Sequence, residues 1–143
     1  PQYISAEAVV ERSIIGEGSE IHGEVYNSVI GPGVVIKKGS VVRNSIIMKQ
    51  SFIGENVTID KAIIAENVTV GNNVVMGVGE DVPNKEKPRV YSFGLVTIGE
   101  NSVIPADVRI GINTAIVGET TPEDYPDGEL ASGETLNKEG ETA

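Results

Sequence analysis

The 143-residue sequence has no cysteine, no tryptophan, a single histidine, and only four tyrosines and two phenylalanines. Without cysteine there is no disulfide framework, thiolate metal site or thiol nucleophile; the compartment stays undecided on this count, and a reducing cytosol fits. The lone His22 excludes a multi-histidine metal centre. No run approaches the ~20 apolar residues of a membrane span, and no secretory apolar core opens the chain. Positive charge is scarce: 11 Lys and Arg stand against 21 Asp and Glu, a formal net of −10. That balance argues against nucleic-acid partners, whose phosphates need a basic face, and against an anionic membrane surface. The acidity is uneven, because residues 117–143 carry eight acids and one lysine and leave only −3 for the body. Leucine is also rare, with 3 against 17 Ile and 20 Val. β-branched side chains suit pleated surfaces, so a helix bundle is excluded in favour of an all-β fold. The chain starts at Pro1 rather than at a methionine, so a processed product or a piece of a longer protein is expected.

What is present is a repeat. From Ser28 the chain reads SVIGPGVVIKKGSVVRN, from Ser45 SIIMKQSFIGENVTIDK, and from Ala62 AIIAENVTVGNNVVM, with 17 residues between successive starts. Aliphatic residues return at Ile30, Ile36, Val42, Ile47, Ile53, Ile59, Ile64, Val70 and Met76, then at Ile98, Ile104, Ile110 and Ile116. Small or β-branched residues sit four positions later, at Val34, Ser40, Ser51, Val57, Val68, Val74, Ser102, Val108 and Thr114. A period near six fits neither the 3.6 of a helix nor a long alternating strand. It fits a coil of three short strands, each ending in a corner, with the aliphatic pointing into a narrow triangular interior that limits the size of the residue four later. Gly16, Gly31, Gly54, Gly71, Gly99 and Gly111 each follow one of these aliphatics, where a corner is expected to use glycine's open backbone. The predicted coils are 4–14, 15–29 (a short one), 30–46, 47–63, 64–76 and 98–116. Stacked at ~4.8 Å they give a prism roughly 30 Å long. This hexapeptide pattern resembles the left-handed parallel β-helix proteins, and the hand is implied by that resemblance.

Two stretches leave the register. Residues 77–94, GVGEDVPNKEKPRVYSFG, hold two prolines and the basic residues Lys85, Lys87 and Arg89, and read as an excursion from the prism. A loop of that length is uncommon unless functional or mobile. Residues 120–143, TTPEDYPDGELASGETLNKEGETA, are acidic and nearly free of large apolar side chains. The predicted domain boundaries are therefore 1–119 for the β-helix and 120–143 for a flexible acidic tail, with disorder from about Asn137.

No catalytic constellation emerges. Glu123, Asp124 and Asp127 offer paired carboxylates but lie in the polar tail, where a solvated surface is expected. GVGED at 77–81 has two glycines without the helix pattern or lysine of a phosphate-cradling loop. His22 follows the inward Ile21 and reads as a corner or surface residue. Lys37 and Lys38 read as water-facing. Lys85, Lys87 and Arg89, joined by Lys61 from a coil corner, are the candidate anion site, set against a solvated loop. No metal ligands gather by spacing, and no cofactor is expected in this chain.

Beyond the coil pattern, PQYI, SVIGPGVVIKKGSVVRNSIIM, IGENVTIDKAI, NKEKPRVYSFGLVTIGENSVIPADVRIG and PEDYPDGELASG closely resemble the C-terminal domain of bacterial glucose-1-phosphate adenylyltransferases (ADP-glucose pyrophosphorylases) across nearly all of the chain. The resemblance implies a piece of an enzyme that makes ADP-glucose and pyrophosphate from ATP and glucose 1-phosphate for glycogen synthesis. The implied chemistry, with Mg²⁺ and ATP, belongs to an N-terminal catalytic domain whose Gly-rich loop, acidic metal ligands and sugar-phosphate lysine have no counterpart here. It implies further that the β-helix packs on that domain, helps form a homotetramer in the cytoplasm and contributes to allosteric effector binding. One departure bears on regulation: residues 90–108 lack Lys and Arg, with Ser92, Gly99 and Glu100 where some family members carry activator-binding cations. An anionic effector is therefore assigned to Lys61, Lys85, Lys87 and Arg89. The alternative reading is a hexapeptide acyltransferase with an acyl-CoA donor and His22 as general base. A catalytically silent homologue that pairs with an active subunit is a third.

Overall fold

A computed structural model describes residues 1–138. It is a parallel β-helix. Six coils each give one short strand to three sheets, and a seventh gives strands to two of them. The register repeats the sequence step. On one face Ile21 pairs with Ile36 at 15 residues, Ile36 with Ile53 at 17 and Ile53 with Val70 at 17. The short second coil is thus where the spacing placed it, with Ile15 beside Ile30.

The inward aliphatics are buried as expected. Ile30, Ile36, Val42, Ile47, Ile53, Ile59, Ile64, Val70, Met76, Ile98, Ile104, Ile110 and Ile116 are each at most 1% exposed. The offset-four residues are buried too, but small size is only half of their role. Ser40 Oγ donates to the Gly54 carbonyl at 2.7 Å and accepts the Val57 N–H at 2.9 Å. Ser51 bridges Ala65 and Val68 in the same way. Ser102 bridges Gly118 and Thr120. At these points the hydroxyls supply backbone pairing between coils where the strands stop, and so satisfy groups that would otherwise be buried and unpaired.

The corners also follow a rule, though not the one expected of the glycines. Gly16 and Gly71 have ordinary backbone; they are glycine because a Cβ there would lie 2.5 Å from Pro32 N and 2.6 Å from Ala106 N of the next coil. Left-handed turn positions are shared by other glycines and, among non-glycine residues, mostly by asparagine. Arg12, Asn27, Asn44, Lys61 and Asn113 (φ between 49° and 58°) form one column along the prism, and Gln50, Asn67 and Asn101 part of another. Asparagine tolerates that conformation, and its carboxamide links the stack: Asn27 donates to Asn44 at 3.3 Å and Asn67 to Asn101 at 2.8 Å.

The stacking runs past the expected boundary at 119. Glu129–Leu130 pairs with Arg109–Ile110, and Thr135–Asn137 pairs with Ala115, Ile116 and Val117. Leu130 and Leu136 pack on the core, and Tyr125, 7% exposed, reaches it beneath a one-turn 3-10 helix at Pro122–Asp124. Most of the predicted tail is therefore a seventh coil that closes the prism. The predicted disorder falls chiefly on 139–143, outside the described residues. Burial pushes the Tyr125 phenol up to about 12, partly offset by its 2.8 Å hydrogen bond with Thr120.

Two outcomes follow from these contacts. Ser40→Ala strands the Gly54 carbonyl and the Val57 N–H and should cost about 1–3 kcal/mol, read as a lowered urea midpoint with unchanged slope. In alkali the unfolded tyrosine ionises near ~10, below the folded value of about 12. The cap's contribution should therefore be complete below ~10 and lost as the pH rises toward about 12. A phenolate absorbance titration should lose a late-titrating component in Tyr125→Phe, separate from that of Tyr26, whose phenol is raised by its hydrogen bond to Glu24.

Candidate functional site

The excursion leaves the prism after Val75–Met76 and returns at Val96–Ile98, at the corner of the Arg12, Asn27, Asn44, Lys61 column. It is pinned. Asn113, buried, donates to the Val82 carbonyl at 2.7 Å and to Asp81 at 3.0 Å, and accepts the Gly94 N–H at 2.7 Å. A corner asparagine of the sixth coil thus holds both ends of the loop. The GVGED glycines are packed on the prism rather than cradling a phosphate: a Cβ on Gly77 would clash with the Asp60 carbonyl and one on Gly79 with Ser132 Oγ, while Asp81 is engaged by Asn113.

The four proposed anion ligands are exposed; Lys61 lies one coil below the return of the excursion, where its carbonyl accepts the Val96 N–H at 3.0 Å, and Lys85, Lys87 and Arg89 lie on the excursion itself. They do not converge equally. Lys85 is paired with Glu134 of the seventh coil, and its own N–H donates to the Gly133 carbonyl at 2.9 Å. Among the described residues the side chains of Lys61, Lys87 and Arg89 have no ion-pair or hydrogen-bonding partner. Exposed Val90 and Phe93 flank this basic turn.

His22 lies elsewhere, in the second coil. It is half-buried, its ring packs on Tyr3 at 5.4 Å, and Nε2 lies 3.3 Å from Glu20. It lines a cleft of about 240 Å³ with Glu7, Glu24, Lys38 and Ser40. Lys37 sits 5.9 Å from the Phe52 ring centroid and covers an exposed aromatic rather than only facing water. The carboxylates of the seventh coil are structural. Asp124 accepts the Thr121 N–H at 2.7 Å and Lys138 Nζ at 2.8 Å, and the Lys138 ammonium holds its carboxyl below the usual range. The Thr121 hydroxyl lowers Glu123 likewise.

Other clefts are present among the described residues, including one of about 550 Å³ beside Arg12, Ile14, Asn27 and Val29. One of about 380 Å³ lies between the start of the excursion and the face carrying Arg109 and Glu129. Another of about 330 Å³ lies beneath Tyr91, beside Glu100 and Glu119. These last two each carry two glutamates, joined in the larger by Arg109, and residue patterns did not foreshadow them because their walls join the excursion to residues of other coils. Among the described residues no group of three or more His, Cys, Asp or Glu side chains gathers to hold a metal ion. None of their helices is long and apolar enough to cross a membrane.

Residues 3–98 match the family described as GlmU-like, C-terminal hexapeptide. A glucose-1-phosphate adenylyltransferase of Lachnospira eligens is 58% identical over 141 residues, covering 99% of this chain and 33% of that protein. Those of Acetivibrio thermocellus and Thermotoga maritima are 44% and 54% identical, over 98% and 94% of the chain. The chain spans about a third of the length of these curated relatives, their C-terminal part. Among solved structures, the acetyltransferase domain of PglB from Neisseria gonorrhoeae superposes with a TM-score of 0.56 at 22% identity, over 92% of this chain and 55% of that one. A hexapeptide transferase family protein from Anaplasma phagocytophilum gives 0.52 at 14%, over 95% and 69%. These likenesses show the fold, the hexapeptide β-helix expected from the spacing, with the left hand that the resemblance implied.

The attachment of the excursion is testable. Asn113→Gly keeps the backbone conformation and removes the three side-chain hydrogen bonds, so trypsin should cut after Arg89 several-fold faster while the coils stay intact. An unchanged cleavage rate in limited proteolysis would place the attachment elsewhere.

Proposed function

We propose that this chain, which belongs to the GlmU-like C-terminal hexapeptide family, is the C-terminal regulatory and oligomerisation domain of a cytoplasmic glucose-1-phosphate adenylyltransferase. The observation that carries the reading is the 58% identity to such an enzyme across almost the whole chain but only a third of the enzyme. The parent joins ATP and glucose 1-phosphate into ADP-glucose and pyrophosphate for glycogen synthesis. On this reading its Mg²⁺ and ATP belong to the preceding domain. The first coil supports a partner at that end. Tyr3, Ile4 and Ile14 are 55%, 42% and 68% exposed, and its strands pair on one side only. The other end is closed by Tyr125, Leu130 and Leu136. An open apolar edge invites association, and the preceding domain and the tetramer partners are its proposed occupants.

The proposed effector is a small anion received at Lys61, Lys87 and Arg89, with Lys85 spending its charge on Glu134. The acyltransferase reading has less support. The likeness to acetyltransferases reaches only 22% identity, and the His22 ring is engaged by Glu20 and Tyr3.

Two measurements test the proposal. The full-length parent should form ADP-glucose, and the isolated chain should neither do so nor transfer acetyl groups from acetyl-CoA. An inactive parent would point to the silent homologue, and acetyl transfer abolished by His22→Ala would establish the alternative. In the parent, Arg89→Glu should weaken the response to anionic effectors at least several-fold and leave basal activity unchanged. An unaltered response removes Arg89 from the site.

A further inference from the structure

Asn84 stands apart from the rest of the excursion. Lys85, Glu86, Lys87, Pro88, Arg89 and Val90 are all exposed, yet Asn84 is 1% exposed. A buried carboxamide needs partners for two N–H groups and an oxygen, and here they come from three separate stretches of chain. Its oxygen accepts the N–H of Glu86 at 3.0 Å and of Lys87 at 2.9 Å, which fixes the turn that presents the basic side chains. Its nitrogen donates to the Asn113 carbonyl at 2.9 Å, at the sixth-coil corner. The same nitrogen donates to Thr135 Oγ at 3.0 Å, and that hydroxyl lies 3.2 Å from the carboxamide oxygen, in the seventh coil. The Asn84 backbone N–H donates to Ser92 Oγ at 3.0 Å and so gathers the far side of the loop.

We propose that Asn84 is the positioning residue of the basic turn and couples it to the last coil, so that the turn and residues 129–137 order as one unit. Through it, a phosphate-type anion held by Lys87 and Arg89 is felt at the end of the prism. The second part rests on the effector reading above; the coupling itself rests on the geometry. The partition is physical. One carboxamide cannot keep its oxygen on the Glu86 and Lys87 amides and its nitrogen on Thr135 unless the turn and the last coil hold their relative position. Loss of the Thr135 hydroxyl leaves the carboxamide nitrogen only a 3.5 Å contact to the Glu134 carbonyl in the last coil, and loss of the turn leaves the oxygen with Thr135 Oγ alone, so either weakens a buried polar group.

The decisive variant lies in the last coil and away from the turn. Thr135→Val keeps the shape and β preference of the strand and removes the hydroxyl. In amide hydrogen exchange on the whole chain it should speed the Glu86 and Lys87 amides about fivefold or more, together with residues 129–137. Residues 46–64 should be unchanged, and Thr135→Ser, which retains the hydroxyl, should behave as the parent. Faster exchange confined to 129–137 would overturn the coupling. Titration with inorganic phosphate separates the two parts. Weaker phosphate binding in Thr135→Val supports the anion link. Phosphate that binds neither form counts against the effector reading, while the exchange result still decides the coupling.

Discussion

Every inner coil of this protein must hand its backbone N–H and carbonyl groups to its neighbouring coils, in register, on several faces at once. Six-residue sides and a triangular interior follow from that constraint, because only one large inward side chain fits on each side. The stack is parallel throughout, and each strand is only two to four residues long. So few ladder bonds per strand leave the corners to carry much of the pairing. Serine hydroxyls bridge successive coils, and asparagines at left-handed positions link along the edges. Stability in such an array is built from neighbour contacts, so an interruption is tolerated only where the flanking coils still meet. The excursion satisfies this: Ile64 pairs with Ile98 although 34 residues separate them.

Much of this was legible in the sequence. The spacing of Ile30 to Met76 and of Ile98 to Ile116 gave the interior, the short coil and the site of the excursion, because a fixed period survives any surface variation. What escaped had weaker signals. The seventh coil hides in an acidic stretch where an aromatic, Tyr125, replaces an inward aliphatic. Leu130 and Leu136 keep the six-residue step, and that pair was the available clue. The corner glycines were legible as glycines but not in their cause, which is the close approach of the next coil.

The basic residues near the excursion were found by charge, and their inequality was not. Lys85 is matched by Glu134 from 49 positions later, a pairing that only the seventh coil creates. Asn84 carried no signal at all, since a single asparagine beside a proline reads as a turn residue. Its role arises because the fold brings the sixth-coil corner and the last coil against the loop. Surface charge thus marks the proposed receiving turn, and buried amides hold that turn in place.

The central claim is that this β-helix is one part of a larger nucleotidyltransferase. The most direct measurement is the coding sequence immediately upstream of Pro1. The account predicts that it continues in frame into a catalytic domain with a Gly-rich nucleotide-binding loop. A start codon placed just before Pro1 would contradict it and would make His22 with an acyl-CoA donor the activity to assay.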